Sequence, residues 1–234
     1  MRRGDKKYRN IYFDLDRTLW DYETNARTTF YELVEKYQLE GIKSKFDSFI
    51  SMFNQENERL WEEFREGKIN KNDLRTKRFT EVLAFFNIHD KELAHQLGEE
   101  YLKITPTKGA LMPGALETLS YLHEKYQLYI ITNGFGEVQE TKLENSGLNG
   151  FFKKMITSDT IGIQKPHPAI FHHALTSVHA KKAESLMVGD DLVTDIMGAR
   201  RSGIDQVFLN TTRVPHDMVV TYEINTLLDL KKIL

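Results

Sequence analysis

The chain has 234 residues, 40% apolar and 11% aromatic, enough to bury one large core or two smaller ones, so it is neither disordered nor fibrous. With 32 basic against 34 acidic residues it offers no broad basic surface, and no nucleic-acid partner is expected. Cysteine is absent, which excludes disulfides, thiolate catalysis and cysteine-based zinc sites; no apolar run approaches the roughly 18 residues of a membrane span, so a cytoplasmic chain without a membrane partner is expected.

In chain order, Met1 to Arg9 lacks the apolar core of a signal peptide, and its basic cluster Arg2, Arg3, Lys6, Lys7 and Arg9 reads as a solvated tail. Ile11, Tyr12 and Phe13 make a short β-branched and aromatic run of the kind that forms a buried strand, and it ends in two carboxylates, Asp14 and Asp16. In an extended chain these project from one face, close enough to bind one hard cation. Two such charges cannot both stay ionised cheaply without that cation or a lysine nearby. An EF-hand loop is excluded, because Leu19 and Asn25 stand where it needs Gly and Glu. A plainer alternative is a turn in which Asp16 or Thr18 caps a helix, and only residues distant in sequence decide between them.

From Trp20 to Thr105 there is no proline and little glycine. Apolar residues recur at helical spacing: Phe30, Leu33, Val34, Tyr37; then Phe46, Phe49, Ile50, Phe53, continuing to Leu60; then Phe79, Val82, Leu83, Phe86; then Leu93, Leu97, Tyr101, Ile104. About four helices packed on one another are expected, their aromatics serving as core.

After Pro106 the pattern alternates between strand and helix. Helices are expected from Pro113 through Leu122, over 136–145, 166–178 and 194–202, and finally over 224–233; strands are expected over 127–131, 154–157, 185–188 and 206–209. Such alternation implies an α/β fold, a mostly parallel sheet with helices on both faces. The first strand has no crossover helix of its own until Pro113, so the helical stretch reads as an insertion, with a core of residues 1–18 and 107–234 and an inserted domain of residues 19–106.

In such folds ligands bind outside the carboxyl ends of the strands. The residues at those ends are Asp14 and Asp16; Thr132-Asn133-Gly134; Lys165, before Pro166; and Gly189-Asp190-Asp191, with Asp195 one helical turn on. Each alone reads as a turn or a cap. Together and in this order, they imply a site that holds a metal and an anion.

These residues resemble the haloacid dehalogenase (HAD) superfamily of aspartate-nucleophile hydrolases. Asp14-Leu15-Asp16-Arg17-Thr18 is similar to its first motif, Thr132 to the second, Lys165 to the third, and Gly189-Asp190 with Asp195 to the fourth; the resemblance spans nearly the whole chain, inserted helical cap included. One departure is Arg17, where the family usually has Gly. The resemblance implies a Rossmann-like core and phosphoryl transfer. Asp14 is then the nucleophile, and Asp16 protonates the departing alkoxide and later deprotonates water. Mg²⁺ is held by Asp14, the backbone carbonyl of Asp16 and Asp190, while Thr132, the Asn133 amide and Lys165 hold the phosphoryl oxygens. Asp191 and Asp195 stand behind these, orienting Lys165 or a water on the metal.

The expected partner is a small phosphate ester. Leu19-Trp20-Asp21 and Thr132-Asn133-Gly134-Phe135 look like the pyrimidine 5′-nucleotidase subgroup, which makes a nucleoside monophosphate the candidate, with Trp20 or Phe135 to stack on its base. Closure of the cap is expected to hinge near residues 19–22 and 105–109. The alternatives are a sugar-phosphate mutase and a 2-haloacid dehalogenase of the same superfamily, the latter opposed by Asp16. Outside enzymes they are a receiver-like signalling module, whose acidic pair comes first in the chain, and an inactive interaction protein.

Overall fold

The computed structural model describes residues 7–234. Arg2, Arg3 and Lys6 of the expected basic tail lie outside the described residues. Lys7 and Arg9 are engaged by carboxylates, with Lys7 2.7 Å from Asp205 and Arg9 3.5 Å from Glu184.

The chain divides into two compact units, one running up to Tyr22 and resuming over Gly109–Leu234, the other Glu23–Lys108. In the first, β1 (Asn10–Phe13), β2 (Gln127–Thr132), β3 (Lys154–Thr157), β4 (Ser185–Gly189), β5 (Asp205–Leu209) and β6 (Tyr222–Ile224) form one parallel sheet in the order β3-β2-β1-β4-β5-β6. Consecutive side chains of β1 face opposite ways, as a pleated strand requires. Ile11 and Phe13 join Leu128, Ile130, Leu186 and Val188 in one apolar layer. Tyr12 joins Ile131, Met187 and Phe171 in the other. Each fully buried aromatic or aliphatic side chain contributes about 1.5–3 kcal/mol, so β1, with four buried residues between β2 and β4, is the strand the sheet is built around.

Leu19 and Trp20 belong to the sheet unit although the sequence assigned them to the insertion. Trp20 is wholly buried in the sheet's core, and the segment forms antiparallel contacts with the returning chain: Asp21 N donates to Ala110 O at 3.0 Å and Met112 N to Leu19 O at 2.9 Å.

Two expected elements differ. The final helix was expected from residue 224, but residues 222–224 are β6, paired with β5, and helical turns begin only at Leu227. Three residues with an exposed glutamate between their ends carry almost no strand pattern. The helix expected over 194–202 starts earlier, as a wide π-type turn over Leu192–Met197 that continues into Gly198–Arg201. Its start is set by Asp191, whose side chain accepts from the N–H groups of Val193 and Thr194.

The second unit is all helical, built on Phe46–Arg65, Lys71–Phe85, Lys91–Ile104 and most of Tyr22–Lys36. Asn70 and Asp73 form a reciprocal capping box, and Asp90 caps the helix it precedes. Of the aromatics expected as core, Phe30, Phe49, Phe53, Phe79 and Tyr101 are buried, whereas Tyr37, Phe46 and Phe86 are only half-buried; Phe30 stacks on Tyr101 at 4.9 Å and meets Phe53 edge-on at 4.4 Å. Among the described residues no helix is long and apolar enough to cross a membrane.

Candidate active site

The sheet order reverses at β1, and the carboxyl ends of β1, β2 and β4 meet there. Asp14 follows β1 directly and continues its pairing through N–H to Val188 O at 2.9 Å. Thr132 ends β2, Asp190 follows β4, and Lys165 comes in on the loop beyond β3.

Lys165 is 2% exposed, and its ammonium donates to Asp14 Oδ1 at 2.5 Å, Asp195 Oδ1 at 2.7 Å and the Ile131 carbonyl at 2.8 Å. All three of its N–H donors are spent. Burial opposes the charge, but Asp14 and Asp195 outweigh it and hold the group well above the usual lysine range. The side-chain amide of Asn133 fixes this loop: Oδ1 accepts from Lys165 N–H at 2.7 Å and Nδ2 donates to Lys165 O at 3.0 Å. That side chain is therefore committed to the backbone, which leaves its own main-chain N–H as what residue 133 has for an anion.

Carboxylate oxygens of Asp14, Asp190 and Asp195 lie within 4.8 Å of one another. Asp195 approaches so closely that a Cβ on Gly189 would lie 2.3 Å from Asp195 Oδ2; glycine is required there. Asp190 Oδ1 accepts from the Thr18 hydroxyl at 2.9 Å, while Asp191 is turned away to cap the following helix. Burial pushes the Asp14 carboxyl above the usual range, Lys165 opposing and Asp195 and Asp16 adding to the shift. Three carboxylates face a single ammonium, an excess of negative charge offered by hard oxygen donors only. That donor set fits Mg²⁺.

The carboxylate of Asp16 is turned elsewhere. Oδ2 accepts from Gln139 Nε2 at 2.9 Å and Oδ1 from Lys142 Nζ at 2.5 Å, and the Lys142 ammonium lies 4.4 Å from the centre of the Trp20 ring. Burial works against ionisation of Asp16, but Lys142 and Gln139 outweigh it and hold the carboxyl below the usual range. Gln139 and Lys142 share a face of the helix Gly136–Asn145, and sequence reasoning passed over both, as it did the bond from Thr18 to Asp190. The one sign available was two polar residues three apart on the helix that follows Thr132.

The two aromatics expected to stack on a base are both buried. Trp20 is fully buried with Lys142 over its face, and Phe135 is 6% exposed. Arg17 has φ +61°, the left-handed backbone region that glycine occupies without strain, and its guanidinium lies 4.5 Å from the Tyr22 ring centre.

Residues 11–209 match the family model described as haloacid dehalogenase-like hydrolase. The chain is similar to the HAD-hydrolase YfnB of Bacillus subtilis (strain 168), 30% identical over 98% of this chain and 96% of that one. It is likewise 30% identical to the pyrimidine 5′-nucleotidase PynA of Streptococcus pneumoniae (strain ATCC BAA-255 / R6), over 95% of this chain and 93% of that one. A crystal structure of Bacillus subtilis YfnB, bound to magnesium and described as revealing interdomain movement, superposes with a TM-score of 0.84 at 28% identity, covering 97% of this chain and 99% of that one. A parallel sheet of this order, the converging carboxylates and lysine at its carboxyl edge, and a family match over most of the length lead to one assignment: the chain belongs to the haloacid dehalogenase-like hydrolases.

Proposed function

We propose that this chain is a Mg²⁺-dependent phosphate-monoester hydrolase acting through an aspartyl phosphate on Asp14, with nucleoside 5′-monophosphates as its substrate class. One observation carries the reading: a buried lysine and two carboxylates gather around Asp14, while a further carboxylate, Asp16, is held apart on donors of its own. The first set suits a nucleophile that must meet an anion. The second suits a separate proton carrier.

In this reading an Asp14 oxygen attacks phosphorus as the bond to the ester oxygen breaks, and Asp16 gives a proton to the departing alkoxide, a proton it has to take up beforehand against the hold of Lys142 and Gln139 on its carboxylate. The Asp16 carboxylate then takes a proton from water as that water's oxygen attacks phosphorus and the bond to Asp14 breaks. Inorganic phosphate leaves, and both side chains are restored. The Thr132 hydroxyl and the Asn133 main-chain N–H hold phosphoryl oxygens, joined by Lys165 when its ammonium turns one donor from the attacking Asp14 to the phosphoryl group. Asp14, the backbone carbonyl of Asp16 and Asp190 would hold Mg²⁺, which when bound shields the carboxylate nucleophile from the charge of the phosphate. Asp195 fixes Lys165, and Asp191 builds the turn that carries Asp190.

Displacement of halide leaves no alkoxide to protonate, so a dehalogenase would have no use for the arrangement around Asp16. The likeness to a relative named as a pyrimidine 5′-nucleotidase supports nucleotides over other esters. Steady-state hydrolysis of a panel of phosphate monoesters with Mg²⁺ tests both levels. The expected outcome is release of inorganic phosphate, fastest from nucleoside monophosphates. Sugar phosphates turned over as fast would remove the substrate class, and no release from any ester would remove the reaction.

A further inference from the structure

We propose that Gln139 is a positioning residue of this site, setting the direction of the Thr132 hydroxyl hydrogen while it holds the Asp16 carboxylate. The inference rests on the phosphatase reading above and adds to it a residue outside the four motifs.

The side-chain nitrogen of Gln139 has two hydrogens, and both are in use: one goes to Asp16 Oδ2 at 2.9 Å, the other to Thr132 Oγ1 at 2.8 Å. Turned the other way round, the amide would set its carbonyl oxygen 2.9 Å from Asp16 Oδ2 and leave the nitrogen, with both its hydrogens, in the position where the described residues offer no acceptor. Thr132 Oγ1 accepts a second bond, from Gly134 N–H at 3.0 Å. Both acceptor positions of the hydroxyl are thus filled by donors. What remains is its own hydrogen, which meets no acceptor among the described residues, so the group is prepared to donate and not to accept. A phosphoryl oxygen needs a donor in that state.

Two further features mark the arrangement as built. Gln139 is fully buried, and its carbonyl oxygen takes no hydrogen bond from the described residues, a cost that an apolar side chain at this helix position would avoid. The chain also clears space for it: a Cβ on Gly134 would lie 2.5 Å from the Gln139 amide, so residue 134 must be glycine for the amide to reach Thr132.

The experiment uses full-length protein with Mg²⁺, p-nitrophenyl phosphate as substrate and inorganic phosphate as competitive inhibitor. Gln139→Met is made in the wild type and in the Thr132→Ser and Thr132→Val backgrounds. The inhibition constant for phosphate should rise about tenfold on Gln139→Met wherever residue 132 has a hydroxyl, and stay within about twofold in Thr132→Val, because two residues that act through one bond are not additive. Packing alone would give the same fold-change in both backgrounds, and that result overturns the proposal. So does an unchanged constant for Gln139→Met, or for Thr132→Val alone. Should Gln139→Met not fold, Gln139→Glu keeps the shape. Its carboxylate accepts the Thr132 hydrogen, so the increase must be larger in Thr132→Ser than in Thr132→Val, the effect of the added charge being common to both. A wild type that cleaves no phosphate ester would bring down the phosphatase reading itself, whereas the patterns above separate outcomes within an active enzyme.

Discussion

Lys165 and Asp14 form a buried ion pair at 2.5 Å in which the lysine is shared with a second buried carboxylate, Asp195, at 2.7 Å. Removing the cation leaves two largely buried carboxylates without their shared partner. Lys165→Met should therefore lose about 3–5 kcal/mol of unfolding free energy in urea titrations run in EDTA, and adding Asp195→Asn should recover part of that loss.

Asp14→Asn keeps the shape of the side chain and removes the proposed nucleophile. Turnover of a phosphate monoester should fall by at least about a thousandfold while the melting temperature stays at or above that of the wild type, since one of several crowded carboxylates is gone. Rates near the wild type would show that a different group attacks.

Metal dependence has a readout apart from catalysis. Mg²⁺ should raise the melting temperature by relieving repulsion among Asp14, Asp190 and Asp195, and EDTA should abolish both the rise and the activity. Asp190→Asn should weaken the thermal response to Mg²⁺ at least about tenfold in concentration, whereas Asp191→Asn, on a side chain spent on capping, should barely move it.

Arg17 offers a test of backbone strain. At φ +61° a side chain costs about 1–2 kcal/mol that glycine escapes, so Arg17→Gly should be more stable than Arg17→Ala by about 1 kcal/mol, the reverse of the ordinary order. Chemical denaturation of the two variants decides it.

Far from the site, Asp205 accepts from Lys7 and from the Tyr8 hydroxyl, both at 2.7 Å. Burial opposes its ionisation, but the two donors outweigh burial and hold the carboxyl below the usual range. A carboxyl depressed by folding stabilises the fold above its unfolded value, near pH 4, and loses that contribution as pH falls through the lower folded value. Asp205→Asn should melt below the wild type at pH 7, and the gap should close as the pH drops below about 4.

The groups that carry charge into the site were legible because a parallel sheet brings the residues after its strands to one edge; Asp14, Lys165, Asp190 and Asp195 could be found from strand ends alone. Gln139 and Lys142 were not, since polar residues on a surface helix look solvated until tertiary packing buries them. Trp20 misled for the opposite reason: its place beside the first motif suggested a ligand contact, whereas Lys142 covers its ring. β6 escaped because three residues at a sheet edge are too few for any alternation to register. The left-handed turn at Arg17 gives a physical reason for the glycine usual there, one that spacing could not supply.

The antiparallel contact between Trp20 and Leu111 makes the two crossing segments a sewn seam within the sheet unit. Whatever is threaded between Tyr22 and Gly109 starts and finishes at the same place, so its length and sequence can change at a cost that grows only with the logarithm of the loop. Reaction chemistry and the helical insert are thereby free to evolve as separate modules, and grafting a foreign insert at this seam would leave the strand tips where they are.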